Sequence, residues 1–341
     1  MRTLLLLLVL AAATVAVAGC GGGTTTQTVT ADSGSAPAGA NAADSLETQF
    51  IDVVRQRAPS VVQIETTDGL GSGVAYDDKG NIVTNAHVVG TAKTFTVTLA
   101  KGDTHKATLV GSYPPSDLAV IHLESGTVAP APLADSSKLA VGKVVLAIGN
   151  PLGLRSSVTD GIISSLGRTV SEGGGAVIAS AVQTSASINP GNSGGALVDL
   201  DGNVVGIPTL AATDPQLGGG QAPGIGFAIP SDTVRNIADQ LVKNGRVTNS
   251  GRAYLGVEIA STLQGTGVVV AAVTKGGPAD KAGVRAGDVI LKVAGKPTPT
   301  ADDLATVLAT LKPGQTVPVE VRRADGSTKT LDVKLGQNPG T

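Results

Sequence analysis

The sequence predicts an all-β unit, barrel or sandwich, over about residues 45–245, followed by a smaller α+β unit over residues 251–337. Three observations carry this reading. Between Ser60 and Ile229, short apolar runs alternate with turn-forming clusters such as Asp77-Asp78-Lys79-Gly80-Asn81 and Asp199–Asn203, the pattern of many short strands. Ser231–Lys243 then places Val234, Ile237, Ala238 and Leu241 on one helical face, and Asn244–Gly251 reads as a linker. Beyond the linker, strand-like runs at Val268–Val273, Val289–Val293 and Val317–Arg322 flank a helix near Ala301–Leu311.

Composition supports two cores and narrows the function classes. The chain has 341 residues, of which 41% are hydrophobic and 15% charged, so there is enough apolar material to exclude disorder throughout. With 46 glycines and only 2% aromatic residues, the cores are expected to be built from Val, Ile, Leu and Ala between many turns. A net charge of −2 without a long basic run argues against nucleic acid as the main partner. No His/Cys/Asp cluster has metal-ligand spacing, and neither metal nor cofactor is expected.

The N-terminal region is read as export and tethering. Arg2 precedes an apolar run, Leu4–Ala18, with the length of a signal-peptide core and short for a membrane span. The run ends in Val17-Ala18-Gly19-Cys20, which resembles the lipobox of bacterial lipoproteins. Residues 1–19 are therefore expected to be a signal peptide. Cys20, the single cysteine, is expected to be a lipidated N-terminus that anchors an extracytoplasmic protein to the membrane. Residues 20–44 are rich in Gly, Ala, Thr and Ser and read as a flexible tether. A helix is expected over about Ser45–Ala58, with Asp44 and Glu47 as a capping box, Leu46, Phe50, Val53 and Val54 on one face, and Pro59 as its stop. Ser231 is expected to cap the later helix.

Within the β-rich unit, the segment richest in chemistry is Asn189-Pro190-Gly191-Asn192-Ser193-Gly194-Gly195. A serine between glycines can be presented on a tight turn whose backbone N–H groups converge on an oxyanion. The same residues also fit a G-x-S-x-G elbow, but that fold requires a histidine after the serine. The three histidines, His87, His105 and His122, all precede Ser193 and exclude that order. The order His, Asp, Ser remains open; Asp, His, Ser is formally possible but sits poorly with short strands. His87, at the loop edge of Ile82–Val89, is the best-placed base. His105 reads as a solvated loop residue and His122 as an outward strand position. Asp117, entering the apolar run Leu118–Ile121, is the best-placed acid to orient an imidazole. Gly69-Leu70-Gly71-Ser72-Gly73 lacks the helix and later acid of a nucleotide site and reads as close strand packing.

Taken together, Thr84-Asn85-Ala86-His87-Val88-Val89, Asp117-Leu118-Ala119-Val120 and Gly191-Asn192-Ser193-Gly194-Gly195-Ala196-Leu197 resemble the triad motifs of the HtrA family of trypsin-like proteases. Gly149-Asn150-Pro151-Leu152-Gly153 and Gly224-Ile225-Gly226-Phe227-Ala228-Ile229-Pro230 resemble two further signatures beside its active-site loops. The resemblance implies an all-β, chymotrypsin-like double barrel holding a triad of His87, Asp117 and Ser193. It also implies an oxyanion hole from the N–H groups of Gly191 and Ser193, a homotrimer involving the segment around Phe50, and unfolded proteins as substrates. One departure is Ser185, where many relatives carry aspartate. No acid stands at Ser187, so a preference for Arg or Lys before the cut is not expected. The family tends to cut after small aliphatic residues. A non-enzymatic chaperone or peptide sensor is the rival reading.

In the second unit, Tyr254-Leu255-Gly256-Val257 resembles the carboxylate-binding loop of PDZ domains. Gly277–Val284 and Ala286–Ile290 resemble further PDZ signatures. The resemblance implies that a peptide C-terminus adds as a strand beside Val257–Ala260. Its last side chain would enter an apolar pocket formed by Leu255 and the helix bearing Leu304, Val307 and Leu308.

Overall fold

A computed structural model of the chain describes residues 38–67, 69–150, 157–173, 176–189, 191–214, 220–260 and 267–337. The expectations for residues 1–19 and Cys20, and for Pro151, Leu152, Gly153 and Pro190, lie outside the described residues. The chain divides into two compact units, Met1–Asp44 and Ser45–Thr341.

Helix α1 runs from Ala38 to Arg57. It begins before the expected Ser45, so Asp44 and Glu47 lie inside the helix and form no cap. The tether expected up to residue 44 is helical from Ala38. The helix ends ahead of Pro59, whose ring cannot continue an α-helix, and a short 3-10 turn follows. Val53 is buried, and Phe50 and Val54 pack beside it on the β-barrels.

Strands β1 (Val61–Glu65), β2 (Leu70–Ala75), β3 (Asn81–Thr84), β4 (Thr94–Thr98), β5 (Thr104–Tyr113) and β6 (Leu118–Leu123) close into one barrel in the order β1-β2-β3-β6-β5-β4. A short helix, α2 (Ala86–Val89), follows β3. Strands β7 (Val144–Gly149), β8 (Ser157–Gly173), β9 (Ala176–Thr184), β10 (Ala196–Asp199), β11 (Val204–Asp214) and β12 (Gly220–Pro230) close a second barrel in the order β10-β11-β12-β9-β8-β7. The two-residue period of β6 shows how one strand serves two cores. Ala119, Ile121 and Leu123 point into the first barrel, while Leu118 and Val120 join the core between the barrels. His122 falls on the latter face, where it reaches the surface, with Nδ1 3.2 Å from Asn81 Oδ1. His105 is in strand β5, opposite Val97, rather than in a loop.

Helix α3 (Ser231–Asn244) buries Val234, Ile237, Ala238 and Leu241 in the core between the barrels. Ser231 does not cap it: its hydroxyl donates to Ala134 O at 3.0 Å.

The third sheet comprises β14 (Val257–Ile259), β15 (Val268–Val273), β16 (Val289–Val293), β18 (Thr316–Arg322) and β19 (Thr328–Lys334), in that order, with β17 (Lys296–Pro297) beside β16. A small ladder joins β13 (Ala253–Tyr254) to β20 (Gly336–Gln337). Helix α4 (Pro278–Ala282) and helix α5 (Ala301–Ala309) cover the sheet. Thr300 and Asp303 form a capping box that starts α5. Leu255, Val268, Ile290, Leu304, Val307 and Val319 are among the buried residues of this separate core. Strand β14 is the sheet's edge.

Candidate active site

His87, Asp117 and Ser193 reach one region from three different elements. Asp117 follows a 3-10 turn, Pro114–Ser116, and occupies the left-handed region at φ 50° before β6 begins. That conformation is uncommon for a non-glycine residue and persists only where the surroundings hold it. Here the carboxylate is 2% exposed and accepts three hydrogen bonds. The His87 backbone N–H donates to Oδ1 at 2.9 Å, His87 Nδ1 lies 2.9 Å from Oδ2, and Thr209 Oγ1 donates to Oδ2 at 2.6 Å. An ionised carboxylate only accepts, so the Nδ1 proton is held between His87 and Asp117. The carbonyl of Asp117 accepts from Asn85 Nδ2 at 3.0 Å. Both ends of the residue are thereby tied to the segment that carries His87.

Thr209 was not visible as a site residue in the sequence. It sits in β11, directly after Pro208. The structure gives it two contacts: its hydroxyl holds Asp117, and its carbonyl accepts from Ser193 Oγ at 3.2 Å.

Ser193 lies on a turn whose shape depends on glycine. Gly194 has φ 80°, and a Cβ there would stand 2.2 Å from Ser72 O and 2.4 Å from Thr84 Oγ1. Gly191 has φ 107°. Asn192 secures the base of the turn, with Oδ1 accepting from Asn189 N at 3.0 Å and Nδ2 donating to Ser187 O at 3.0 Å. Three turn N–H groups are occupied: Asn192 by Asn189 O, Gly194 by Pro208 O and Gly195 by Asn192 O. Ser185, the departure from the family pattern, is bonded into β8, with its Oγ accepting from Ile162 N at 3.0 Å. The glycine-rich strand β2 packs as expected: a Cβ on Gly71 would strike Val88, and one on Gly73 would strike Ile82.

In the C-terminal unit, Tyr254, Leu255, Gly256 and Val257 line a groove of about 480 Å³ together with Leu304 and Leu308. Val307, expected in this pocket, belongs instead to the buried core. Gly256 turns the loop at φ 78°. The carbonyls of Leu255 and Gly256 are taken by the N–H groups of Ala279 and Thr274. Among the described residues no cluster of metal-ligating side chains is present, and no helix is long and apolar enough to cross a membrane.

Two closed six-stranded barrels with a serine turn against a His–Asp pair, followed by a strand-edge groove domain, define a trypsin-like serine protease with a PDZ domain. The trypsin-like peptidase domain model matches residues 71–207, and the PDZ domain model matches residues 253–335. Serine protease PepD of Mycobacterium tuberculosis is 38% identical over 332 residues, covering 88% of this chain and 70% of the relative. Serine endoprotease DegS of Escherichia coli is 38% identical, covering 88% of this chain and 89% of the relative. The solved structure of the HtrA-type protease AlgW with a tripeptide superposes with a TM-score of 0.59 at 35% identity, covering 86% of this chain and 98% of that one. The chain belongs to the HtrA family of serine endoproteases.

Proposed function

We propose that the enzyme hydrolyses peptide bonds through Ser193 as nucleophile, His87 as general base and then acid, and Asp117 as the group that orients His87. The observation that carries this assignment is the three-way hold on the Asp117 carboxylate, with the imidazole bonded at Nδ1. Held that way, His87 presents Nε2 as the proton acceptor for a serine hydroxyl. After acyl transfer it returns the proton to the leaving amine. Gly191 and Ser193 supply the oxyanion hole. In support, the other N–H groups of the turn are committed to carbonyls, whereas among the described residues neither of these two has a protein acceptor. Ile188 is buried and closes on Gly226, whose Cβ position would lie 2.3 Å from its Cγ1. A fluorophosphonate probe should label the wild type at Ser193. Absence of labelling in a folded, peptide-responsive protein would favour the chaperone or sensor reading.

The PDZ groove captures exposed C-termini of unfolded proteins. Edge strand β14 offers an unpaired side to an added strand, and among the described residues the N–H groups of Leu255 and Gly256 have no protein acceptor. A peptide with a free apolar C-terminus should bind, and amidating it should weaken binding by about 10-fold or more, since hydrogen bonds to a charged group contribute about 1.5–3 kcal/mol. Equal affinities in a calorimetric titration would refute carboxylate capture. Contact between the two domains gives such binding a route to the site: Arg252 donates to the Pro115 carbonyl, and to Ser116 Oγ at 3.2 Å, in the turn that leads into Asp117.

The apolar leader and Cys20 support an extracytoplasmic enzyme anchored to the membrane by lipid on Cys20, acting in envelope protein quality control. An unmodified Cys20 in mass spectra of the membrane fraction would refute the anchor. Leu46 and Ile51, apolar and exposed on α1 either side of Phe50, support a homotrimer, and a monomer at micromolar concentration by light scattering would refute it.

A further inference from the structure

We propose that Ser72, in the first barrel, is a positioning residue for the oxyanion hole of the second; the inference rests on the assignment of that hole to Gly191 and Ser193. Ser72 is fully buried and lies in β2 between two glycines. Its hydroxyl does two things at once: it donates to the Gly191 carbonyl at 2.5 Å and accepts from the Asn150 N–H at 2.8 Å. Its backbone N–H donates to the Ser193 carbonyl at 2.9 Å, and its own carbonyl accepts from Thr84 Oγ1 at 2.7 Å. One side chain and its peptide therefore hold the carbonyls of both residues that supply the hole's donors.

The consequence follows from where the hole's N–H groups sit: each lies on the peptide immediately before one that Ser72 holds at its carbonyl. Carbonyl and N–H point in opposite directions across a trans peptide, so fixing one end fixes the other. The peptide from Gly191 to Asn192 is held at its carbonyl by Ser72 Oγ and at its N–H by Asn189 O. The next peptide, which carries the Ser193 N–H, is held by Asn192 O accepting from Gly195 N at 3.0 Å. The one after that is held by Ser72 N and Pro208 O. Gly191 has no side chain of its own to keep φ at 107°, and a glycine released from its restraints rotates freely. The Ser72 hydroxyl restrains the carbonyl side of Gly191, and so acts on the Gly191 N–H, which lies on the preceding peptide, by limiting rotation about this residue. Through Asn150 it also ties that turn to the residue that directly follows β7.

The test compares wild type, Ser72→Ala, Ser72→Thr and Ser193→Ala on a disordered protein substrate. It also measures affinity for a peptide boronate, whose tetrahedral adduct carries the oxyanion, and for the same peptide without the boronate. Deleting an entire oxyanion donor costs about 10²–10³ in kcat, so a misaligned one should cost about 10–100-fold. The expected result for Ser72→Ala is that loss in kcat with KM within about twofold. Boronate affinity should fall in parallel, binding of the plain peptide should not change, and the hydroxyl of Ser72→Thr should restore much of kcat. Wild-type kcat and boronate affinity in Ser72→Ala would overturn the inference, as would parallel loss of kcat, plain-peptide binding and thermal stability in both Ser72 variants. Retained hydrolysis by Ser193→Ala would instead overturn the catalytic assignment on which the inference rests.

Discussion

Ser193→Ala is expected to lower kcat for hydrolysis of a disordered protein by about a millionfold, the loss seen when a serine protease loses a triad member. The residual rate should still exceed that in water, because the turn donors and the substrate contacts remain. The substitution removes one hydroxyl, which donates to the Thr209 carbonyl, so the barrels should keep their stability. Thermal unfolding and PDZ-peptide affinity should match wild type within error. The measurement is single-turnover cleavage of purified protein followed by gel or mass spectrometry. Cleavage within tenfold of wild type would remove Ser193 from the mechanism.

Asp117→Asn should cost about 10⁴ in kcat, through proton placement more than through geometry. Oδ2 accepts from both His87 Nδ1 and Thr209 Oγ1, and Oδ1 accepts from the His87 backbone N–H. An amide cannot satisfy all three donors. With its nitrogen at the Oδ2 position it donates to Nδ1, which moves the imidazole proton to Nε2 and leaves nothing to take the serine proton. With its nitrogen at the Oδ1 position, two donors face each other at the His87 backbone. The first arrangement defeats general-base catalysis; the second keeps the proton on Nδ1 but sets two buried donors against each other, so the first is favoured, and because it turns a donor toward Thr209 at a site only 2% exposed, a modest fall in stability is expected too. A steady-state profile in which Asp117→Asn keeps wild-type kcat at neutral pH would refute the orienting role. Recovery of rate as the pH is raised, where hydroxide can assist the serine, would support it.

Much of the architecture was legible in local pattern. β3, β6, β15 and β16 lie where their apolar runs are bounded by turn residues, which mark a strand's limits locally. The helix ends were less legible. The capping signal at Asp44 was met by a helix already under way, and Ser231 spends its hydroxyl on Ala134 from a neighbouring segment. His105 looked like a loop residue because its neighbours are polar; pairing with β4 makes that stretch a strand despite its polarity. Val307 shared the helical stripe of Leu304 and Leu308, and periodicity alone cannot say which member of a stripe lines a groove and which enters the core.

By itself the sequence determined the candidates and their order: a histidine before its serine, an aspartate at the head of an apolar strand, a serine among glycines and a PDZ-like loop in the second unit. Those features are encoded within a few residues each, where residue type and spacing suffice. Tertiary structure alone decided what holds the chemistry in place. Thr209 reaches Asp117 from another barrel, Ser72 grips the serine turn across the same boundary, and Arg252 crosses from the PDZ side to the turn before Asp117. These partners lie far apart in the chain, and nothing local in a threonine, a serine or an arginine announces the acceptor it meets. Each meets its acceptor only after the barrels close, because closure and packing set which carbonyls and carboxylates are left buried and in need of a donor.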